Sequence, residues 1–275
     1  MIALPALPDS VPLWLVGGVL VLLFVVACSI GYRVHGRLQP SVGGAGAEDE
    51  TQVLSAALLL LALLIGFTFS MALGRYDTRR QIVVQEANDI GTAWLRAGLV
   101  PGEPGQMLQD RLAAYAATRV STAANTGDPR LFAARMARGA ALRREIWTLT
   151  AAAIAPDSGT AQSAALVAAV NAVLNTATTR AAAIEARVPS KVIDLLIVYA
   201  IVAAFMLGNV LAAHGSQHRV ATFILFTLLA MTITLILDLD RPQSGDITIS
   251  QTPLVDLVAD IGRPRPSAPT PMGMP

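Results

Sequence analysis

Charged residues are scarce in this chain. They make up 14% of its 275 residues, whereas ordinary soluble domains carry about 25%. Hydrophobic residues reach 54%, and they are concentrated in long runs. This composition excludes an ordinary soluble domain and predicts a protein that lies in a lipid bilayer. Lys and Arg number 20 against 19 Asp and Glu, so the overall charge alone predicts no partner.

Cysteines and aromatic residues are also few. The single cysteine, Cys28, excludes an intrachain disulfide and any metal site built from cysteines. Aromatic residues are 5% of the chain and no recognition module is present, so we expect no nucleic-acid partner. The sequence also lacks a nucleophile elbow, a phosphate loop, a zinc motif and the paired acids of a hydrolase. We therefore expect no enzyme, no cofactor, and no catalytic or metal-binding residues.

Four apolar runs are long enough to cross a membrane. At about 1.5 Å per residue, a helix of about 20 residues reaches the roughly 30 Å of a hydrocarbon core. The four predicted transmembrane helices cover residues 11–30, 51–73, 192–213 and 220–237.

The middle of the chain has helical periodicity but no spanning run. Val83, Ala87 and Ile90 recur at helical spacing, which predicts one apolar face and leaves Glu86 and Asp89 largely on other faces. Breaks at residues 98–105, between Ser121 and Asp128, and at 156–159 divide the region into four helices, and short connections between helices indicate an antiparallel bundle. No breaker separates its first helix from the second span, so the two are expected to be continuous.

The predicted fold is therefore an all-α membrane protein, with four transmembrane helices and a helical bundle inserted between the second and the third. A short alternating stretch, residues 246–250, further predicts a strand after the last span. The predicted domains are transmembrane helices 1 and 2 in 11–73, the bundle in 74–190, transmembrane helices 3 and 4 in 191–237, a juxtamembrane C-terminal segment in 238–262 and a disordered tail in 263–275.

Basic residues near the spans predict the orientation. An even number of spans places both termini and the bundle on one side of the membrane. Seven cations flank the spans on that side and three on the other, and cations accumulate on the cytoplasmic side. We therefore expect a multi-pass protein of the bacterial inner membrane with termini and bundle in the cytoplasm. The seven are Arg75, Arg79, Arg80, Arg180, Arg187, Lys191 and Arg241, and the three are Arg33, Arg37 and Arg219.

The candidate functional residues are charged side chains around the end of the last span. Two acids, an arginine and a proline end this run, and charges at a membrane helix are costly unless they are paired or hydrated. Acids and arginines of the first bundle helix are candidate partners. We expect either juxtamembrane ion pairs or a cation or proton site at a pore mouth, and favour the ion pairs. The candidate set is Arg79, Arg80, Glu86, Asp89, Asp238, Asp240, Arg241 and Pro242.

A second group of charges lies within the bundle. Five arginines fall within 15 residues, close to the single acid Glu145, and such a face draws anions or anionic lipid. A solvated helix face is an equally good interpretation. The arginines are Arg130, Arg135, Arg138, Arg143 and Arg144.

Two segments resemble a known family. The first runs from Tyr76-Asp77-Thr78-Arg79-Arg80 through Val83-Val84-Gln85-Glu86 to Arg96, and the second is Asp238-Leu239-Asp240-Arg241-Pro242 with Gly245, Ile247 and Ser250. Together with the pattern of spans, they resemble the bacterial bestrophin-like membrane proteins, over residues from about 50 to 260. The resemblance marks Arg79, Glu86, Asp238, Asp240, Arg241 and Pro242 as characteristic positions without giving them a role.

The resemblance also implies a function. Bestrophins are oligomeric anion channels with four membrane helices, but their acidic calcium-binding run is not evident here, so calcium gating is not expected. The hypothesis is an oligomeric channel that passes anions, with the lipid bilayer, copies of the chain, and anions or anionic lipid as partners. The alternative is a non-conducting, membrane-anchored sensor or interaction module that uses the helical bundle. The ion, the gating stimulus and the number of subunits are left open.

Overall fold

The computed structural model describes residues 11–38, 45–123, 129–215, 218–241 and 247–263, and the regular secondary structure in these residues is entirely helical. Pro242 and the tail beyond Arg263 lie outside the described residues. The elements are α1 (Leu13–Leu38), α2 (Ala45–Ala97), α3 (Glu103–Ala123), α4 (Pro129–Ile154), a 3-10 turn (Ala155–Asp157), α5 (Ala161–Glu185), α6 (Ser190–Ala213), α7 (Arg219–Asp240) and α8 (Thr252–Ile261).

Four helical stretches are long and apolar enough to cross a membrane. This confirms an all-helical protein with four candidate spans, while the insertion of a bundle between the second and the third stays a prediction. Continuity of the second span with the next helix is confirmed, since α2 is a single helix of 53 residues. The candidate stretches are Leu13–His35, Asp49–Ala97, Ala161–Ala213, which includes α5 and α6, and Arg219–Asp240.

The chain divides into two compact units. The first comprises Met1–Thr78 and Ile184–Thr248, and the second comprises Arg79–Ala183 and Ile249–Pro275. The division falls inside α2 and close to the end of α5. It differs by a few residues from the predicted edges of the middle region, at 74 and 190.

In the first unit, α1 packs against α6 and α7. Fully buried side chains from the three helices, such as Phe24, Leu196 and Ile233, form its core. The rings of Phe24 and Phe226 lie 5.9 Å apart between centroids. The outer faces of the same helices expose large apolar side chains, including Trp14, Val220 and Met231. An apolar face of this kind is what a bilayer solvates, so these helices are in contact with lipid.

Two glycines set the distance between α1 and α6. A Cβ atom on Gly31 would lie 2.0 Å from the carbonyl oxygen of Phe205, and one on Gly208 would lie 2.0 Å from that of Cys28. Any side chain at either position would overlap main-chain atoms of the facing helix. The two helices therefore approach as closely as their backbones allow, a common packing in membranes.

The second unit has its own apolar core. Ile90 of α2, Leu112 of α3, Ile146 of α4 and Val170 of α5 are completely buried in it. Leu108 and Tyr115 of α3 are also completely buried in it.

The helix α8 also belongs to the second unit. Its Leu254 is fully buried in the same core, and α8 packs against α3. The predicted juxtamembrane segment 238–262 is therefore divided between the units. The predicted strand is wrong for residues 247–250, which form no strand, and Asp246 lies outside the described residues.

Candidate functional site

Glu86 is the centre of a buried ionic network in the second unit. Glu86 is 0% exposed, although the helical spacing predicted that it would lie outside the apolar face of α2. Arg119 of α3 and Arg180 of α5, both less than one-tenth exposed, reach it from two other helices. Tyr115 and Gln251 complete the group. We call these five residues the Glu86 cluster.

The geometry of the cluster uses both oxygens of the Glu86 carboxylate. Arg119 donates from Nε to Oε1 at 2.6 Å, and Arg180 donates from a terminal nitrogen to Oε2. The other terminal nitrogen of Arg180 donates to Oε1 of Gln251 at 3.0 Å. The Tyr115 hydroxyl lies 3.5 Å from Oε1 of Glu86, where it donates a weak bond. Residues of α2, α3 and α5 and the residue that precedes α8 are thereby tied together.

The buried charges of this network make the second unit sensitive to the loss of any one partner. Two guanidinium groups face one carboxylate, so the cluster holds one more positive than negative formal charge. Buried charges of this kind are stable only while all partners remain, and removal of one partner typically costs about 3–5 kcal/mol. Burial raises the pKa of the Tyr115 phenol, although the positive charges of Arg119 and Arg143 oppose the rise. The phenol therefore stays protonated and can keep donating to Glu86.

The other three candidates from this unit have different surroundings. Arg79 is 4% exposed and donates from Nε to the carbonyl of Ala183 at 3.0 Å. Asp89 is half-buried and accepts from Gln85 at 2.7 Å and from the Thr176 hydroxyl. Arg80 is exposed. Thus Asp89 is linked to α5 through Thr176, in the same way that Glu86 is through Arg180.

The end of α7 carries the second group of candidates, in the first unit. Asp238 accepts at Oδ2 from the backbone N–H of Ile247 at 3.1 Å, and Asp240 accepts at Oδ1 from that of Val188 at 2.8 Å. Arg241 donates from a terminal nitrogen to the carbonyl of Val11 at 2.8 Å. We call Asp238, Asp240 and Arg241 the α7-end cluster.

Each member of the α7-end cluster binds the main chain of a different segment. Val11 precedes α1, Val188 precedes α6, and Ile247 follows the last span. Acids at a helix C-terminus are unfavourable by about 0.3–1 kcal/mol, because the helix dipole is negative there. The N–H groups of Val188 and Ile247 offset this cost, since a carboxylate accepts strong bonds from the backbone. The cluster therefore fixes the starts of two helices to the end of a third.

Sequence reasoning found part of this arrangement. It selected Glu86 and all three members of the α7-end cluster, but a single cluster of the eight predicted residues stays a prediction, and Pro242 lies outside the described residues. It missed Arg119 and Arg180 as partners of Glu86. The sequence nevertheless contains a signal for both arginines. Leu112, Tyr115 and Ala116 form an apolar face of α3, and Arg119 occupies the next position on that face. Arg180 follows Val173 and Ala177 on the apolar face of α5 in the same way.

The described part of the chain contains no group of three or more His, Cys, Asp or Glu side chains that could hold a metal ion. Both oxygens of Glu86 are occupied by arginines, and Asp238 and Asp240 bind backbone N–H groups. The chemistry of these residues is thus that of ion pairing and anchoring.

The chain matches a model of a known protein family. A family model described as the bestrophin-like domain matches residues 14–254. This range contains the Glu86 cluster, the α7-end cluster and the four candidate spans, except for Leu13 at the start of the first span. The chain matches no curated protein and no solved structure at a significant level.

Proposed function

The chain belongs to the bestrophin-like family, and on this premise we propose that it is an oligomeric membrane channel that passes anions. The observation that carries the proposal is the extent of the family match, which covers the candidate spans, except for Leu13, and most of both units. The family resemblance supports a channel rather than an enzyme, and we propose no catalytic role for the charged clusters.

An oligomer is required because four helices hardly enclose a wide pore alone. The membrane part of α2 supports this requirement. In its most apolar stretch 17% of residues are buried, against 22%, 28% and 33% in the other candidate spans. This helix therefore has the largest free surface in the first unit for contact with copies of itself.

The exposed surface of α2 also carries small residues. Ser55, Ala62, Gly66, Ser70 and Gly74 recur at helical spacing and are all exposed. A Cβ atom on Gly66 or Gly74 would meet nothing within 4 Å. Glycine and serine at such spacing favour close contact between membrane helices over contact with lipid. We therefore propose that α2 helices of neighbouring subunits meet along this face.

Reconstitution tests conduction directly. Pure protein in a planar bilayer should give a current whose reversal potential follows the anion gradient. No current across a range of salts and pH values would contradict the channel proposal.

A matched pair of substitutions tests the oligomer. Gly66→Leu should shift the native mass of the protein in membrane extracts towards the monomer, because a large side chain separates the α2 helices. Gly18→Leu on α1 is the control, since Gly18 is also exposed and its Cβ would also meet nothing within 4 Å. A monomeric unaltered protein, or an equal shift in both variants, would contradict the proposal.

The proposed location is the bacterial inner membrane, with termini and second unit in the cytoplasm. The excess of arginine and lysine near the spans on that side supports this orientation. A reporter that is active only in the cytoplasm should work when it is fused after Ile261. Activity of an exported reporter at the same position would reverse the orientation.

The alternative function is a non-conducting sensor or interaction module. Its support is the exposed arginines of α4, which are Arg130, Arg138 and Arg144. If the second unit is the working part, replacing these three by glutamine should abolish partner capture. If the protein is a channel, the same variant should retain its conductance.

A further inference from the structure

A cavity of about 620 Å³ opens on the first unit between α1, α6 and α7. One part of its wall is apolar and includes Val25, Phe223 and Phe226. Another part carries Arg33, His218 and Arg219. A cavity with this mixture of surfaces suits an amphiphile better than a small polar ligand.

The two kinds of wall lie at different depths. Arg33 is near the end of the α1 span and Arg219 begins the α7 span. Val25 lies eight residues before Arg33, which corresponds to about 12 Å along a helix at about 1.5 Å per residue. Phe226 lies seven residues after Arg219, or about 10 Å. One leaflet has a hydrocarbon depth of about 15 Å, so the cavity extends from the polar surface well into a single leaflet.

The charge at the polar end has one sign. The described residues that line the cavity include two arginines and no acid. Within the part of the chain that the structure describes, neither Arg33 nor Arg219 takes part in an ion pair. Their guanidinium groups are exposed where the phosphates of a bilayer lie, and such groups bind phosphate well.

We propose that this cavity binds an anionic phospholipid, with its phosphate between Arg33 and Arg219 and an acyl chain along Val25, Phe223 and Phe226. This site is separate from the Glu86 cluster and the α7-end cluster. Lipid binding at this site does not depend on whether the protein conducts ions, so the absence of a current would not contradict it.

Two other occupants fit the cavity less well. A free phosphate would satisfy the arginines but would leave the apolar wall in contact with water. A helix from a second copy would fill the apolar wall, but it would need an acid opposite the arginines to avoid burying unpaired charge. A lipid satisfies both surfaces at once.

Cys28 provides a reporter inside the site. It lines the cavity and is the single cysteine of the chain. An occupying lipid should therefore slow alkylation of its thiol by N-ethylmaleimide. The measurement uses full-length protein in nanodiscs of phosphatidylcholine, with increasing fractions of phosphatidylglycerol. Native mass spectrometry of the same samples counts the retained lipid.

In the unaltered protein, phosphatidylglycerol should slow alkylation and be retained, while phosphatidylcholine alone should do neither. Replacing both Arg33 and Arg219 by glutamine should weaken this binding about thirtyfold, since each cation near the membrane surface contributes about 1 kcal/mol. Replacing both by lysine should restore most of the binding, because the charges remain. Arg111→Gln removes an exposed arginine of the second unit and should change nothing.

Each contrary result has a clear meaning. Equal protection by inorganic phosphate alone would show an ion site and overturn the lipid proposal. Protection that is lost in monomeric Gly66→Leu, whatever the lipid, would show that a second copy fills the cavity. Protection by phosphatidylglycerol that survives the double glutamine variant would remove the assigned role of the arginines.

Discussion

In the second unit Glu86 meets two arginine side chains, whereas in the first unit Asp238, Asp240 and Arg241 meet main-chain groups. Both arrangements include buried charged side chains next to an apolar core, although Asp240 is only half-buried. They differ in what remains when one residue is removed. Loss of Glu86 would leave two buried cations without their anion, while loss of Asp240 would leave the backbone N–H of Val188 without this acceptor.

The difference in partners reflects what each unit has to hold together. The Glu86 cluster joins side chains in the middle of helices, where the backbone groups are already used within the helix. The α7-end cluster acts near helix ends and connections, where backbone groups lack partners within a helix. The expected energies therefore differ, and substitutions can test the contrast.

The largest effect should come from Glu86→Gln. The variant keeps the shape of the side chain but removes the negative charge that pairs with Arg119 and Arg180. We expect a loss of about 3–5 kcal/mol in the free energy of unfolding of the second unit. Tryptophan fluorescence during chemical unfolding of the full chain in detergent measures this loss, since Trp94 and Trp147 belong to that unit.

Glu145→Gln is the matched control for this substitution. Glu145 forms an exposed ion pair with Arg111 at 3.2 Å. Exposed pairs contribute about 0–1 kcal/mol, because water already solvates both charges. Equal losses in the free energy of unfolding of the two variants would contradict the prediction that the buried Glu86 cluster contributes more than an exposed ion pair.

The next effect concerns the close contact of α1 and α6 in the first unit. Gly208→Ala places a methyl group 2.0 Å from the carbonyl oxygen of Cys28. The helices must separate, and we expect a loss of about 1–3 kcal/mol, as is typical of overpacking. Thermal unfolding in detergent measures it. Gly18→Ala should be neutral or slightly stabilising, because its methyl group meets nothing within 4 Å and alanine favours the helix.

A comparable or smaller effect is expected for Asp240→Ala. The N–H of Val188 loses its acceptor, which costs about 1–3 kcal/mol if the group stays buried. The connection before α6 should loosen, so trypsin should cleave faster at Arg187 and Lys191. Asp240→Asn should show a smaller increase, since its amide oxygen still accepts. Unchanged cleavage, or the same increase in the exposed control Asp256→Ala, would contradict this anchoring role.

The smallest effect is a pH dependence of Tyr115. Because burial raises the pKa of its phenol above the usual 10.0, the folded protein keeps a proton that the unfolded chain loses. This stabilisation is complete below about pH 10 and is lost as the pH rises through the folded pKa. Tyr115→Phe should be less stable at neutral pH by about 0.5–1.5 kcal/mol. Its unfolding midpoint should then fall less between pH 9 and 11 than that of the unaltered protein.

Several features were predictable because they depend on local patterns. The length and hydropathy of the runs predicted the four candidate spans, and the absence of a breaker near Gly74 predicted the unbroken α2. The prediction of a strand was wrong for residues 247–250, because a five-residue alternation is a weak signal. In the structure, the N–H of Ile247 binds Asp238 instead of a neighbouring strand.

The partners of the charged residues were harder to predict. Glu86 was assigned to a face outside the core, because the spacing of Val83, Ala87 and Ile90 was read as the whole apolar face. Its burial follows from Arg119 and Arg180, which are 33 and 94 residues away in the chain. Nothing in the local pattern of α2 signals those arginines. The role of Asp240 is equally remote, since the N–H of Val188 is 52 residues away.

The sequence by itself thus determined that this protein is helical, that it has four stretches able to cross a membrane, and which charges interrupt its apolar pattern. These properties depend on residue type and spacing along one segment. The tertiary structure alone decided that Glu86 pairs with Arg119 and Arg180, that α7 is anchored to the starts of α1 and α6, and that an apolar cavity ends at Arg33 and Arg219. The physical reason is that a buried charge or a cavity depends on atoms from several distant segments, whose meeting is set by the packing of whole helices.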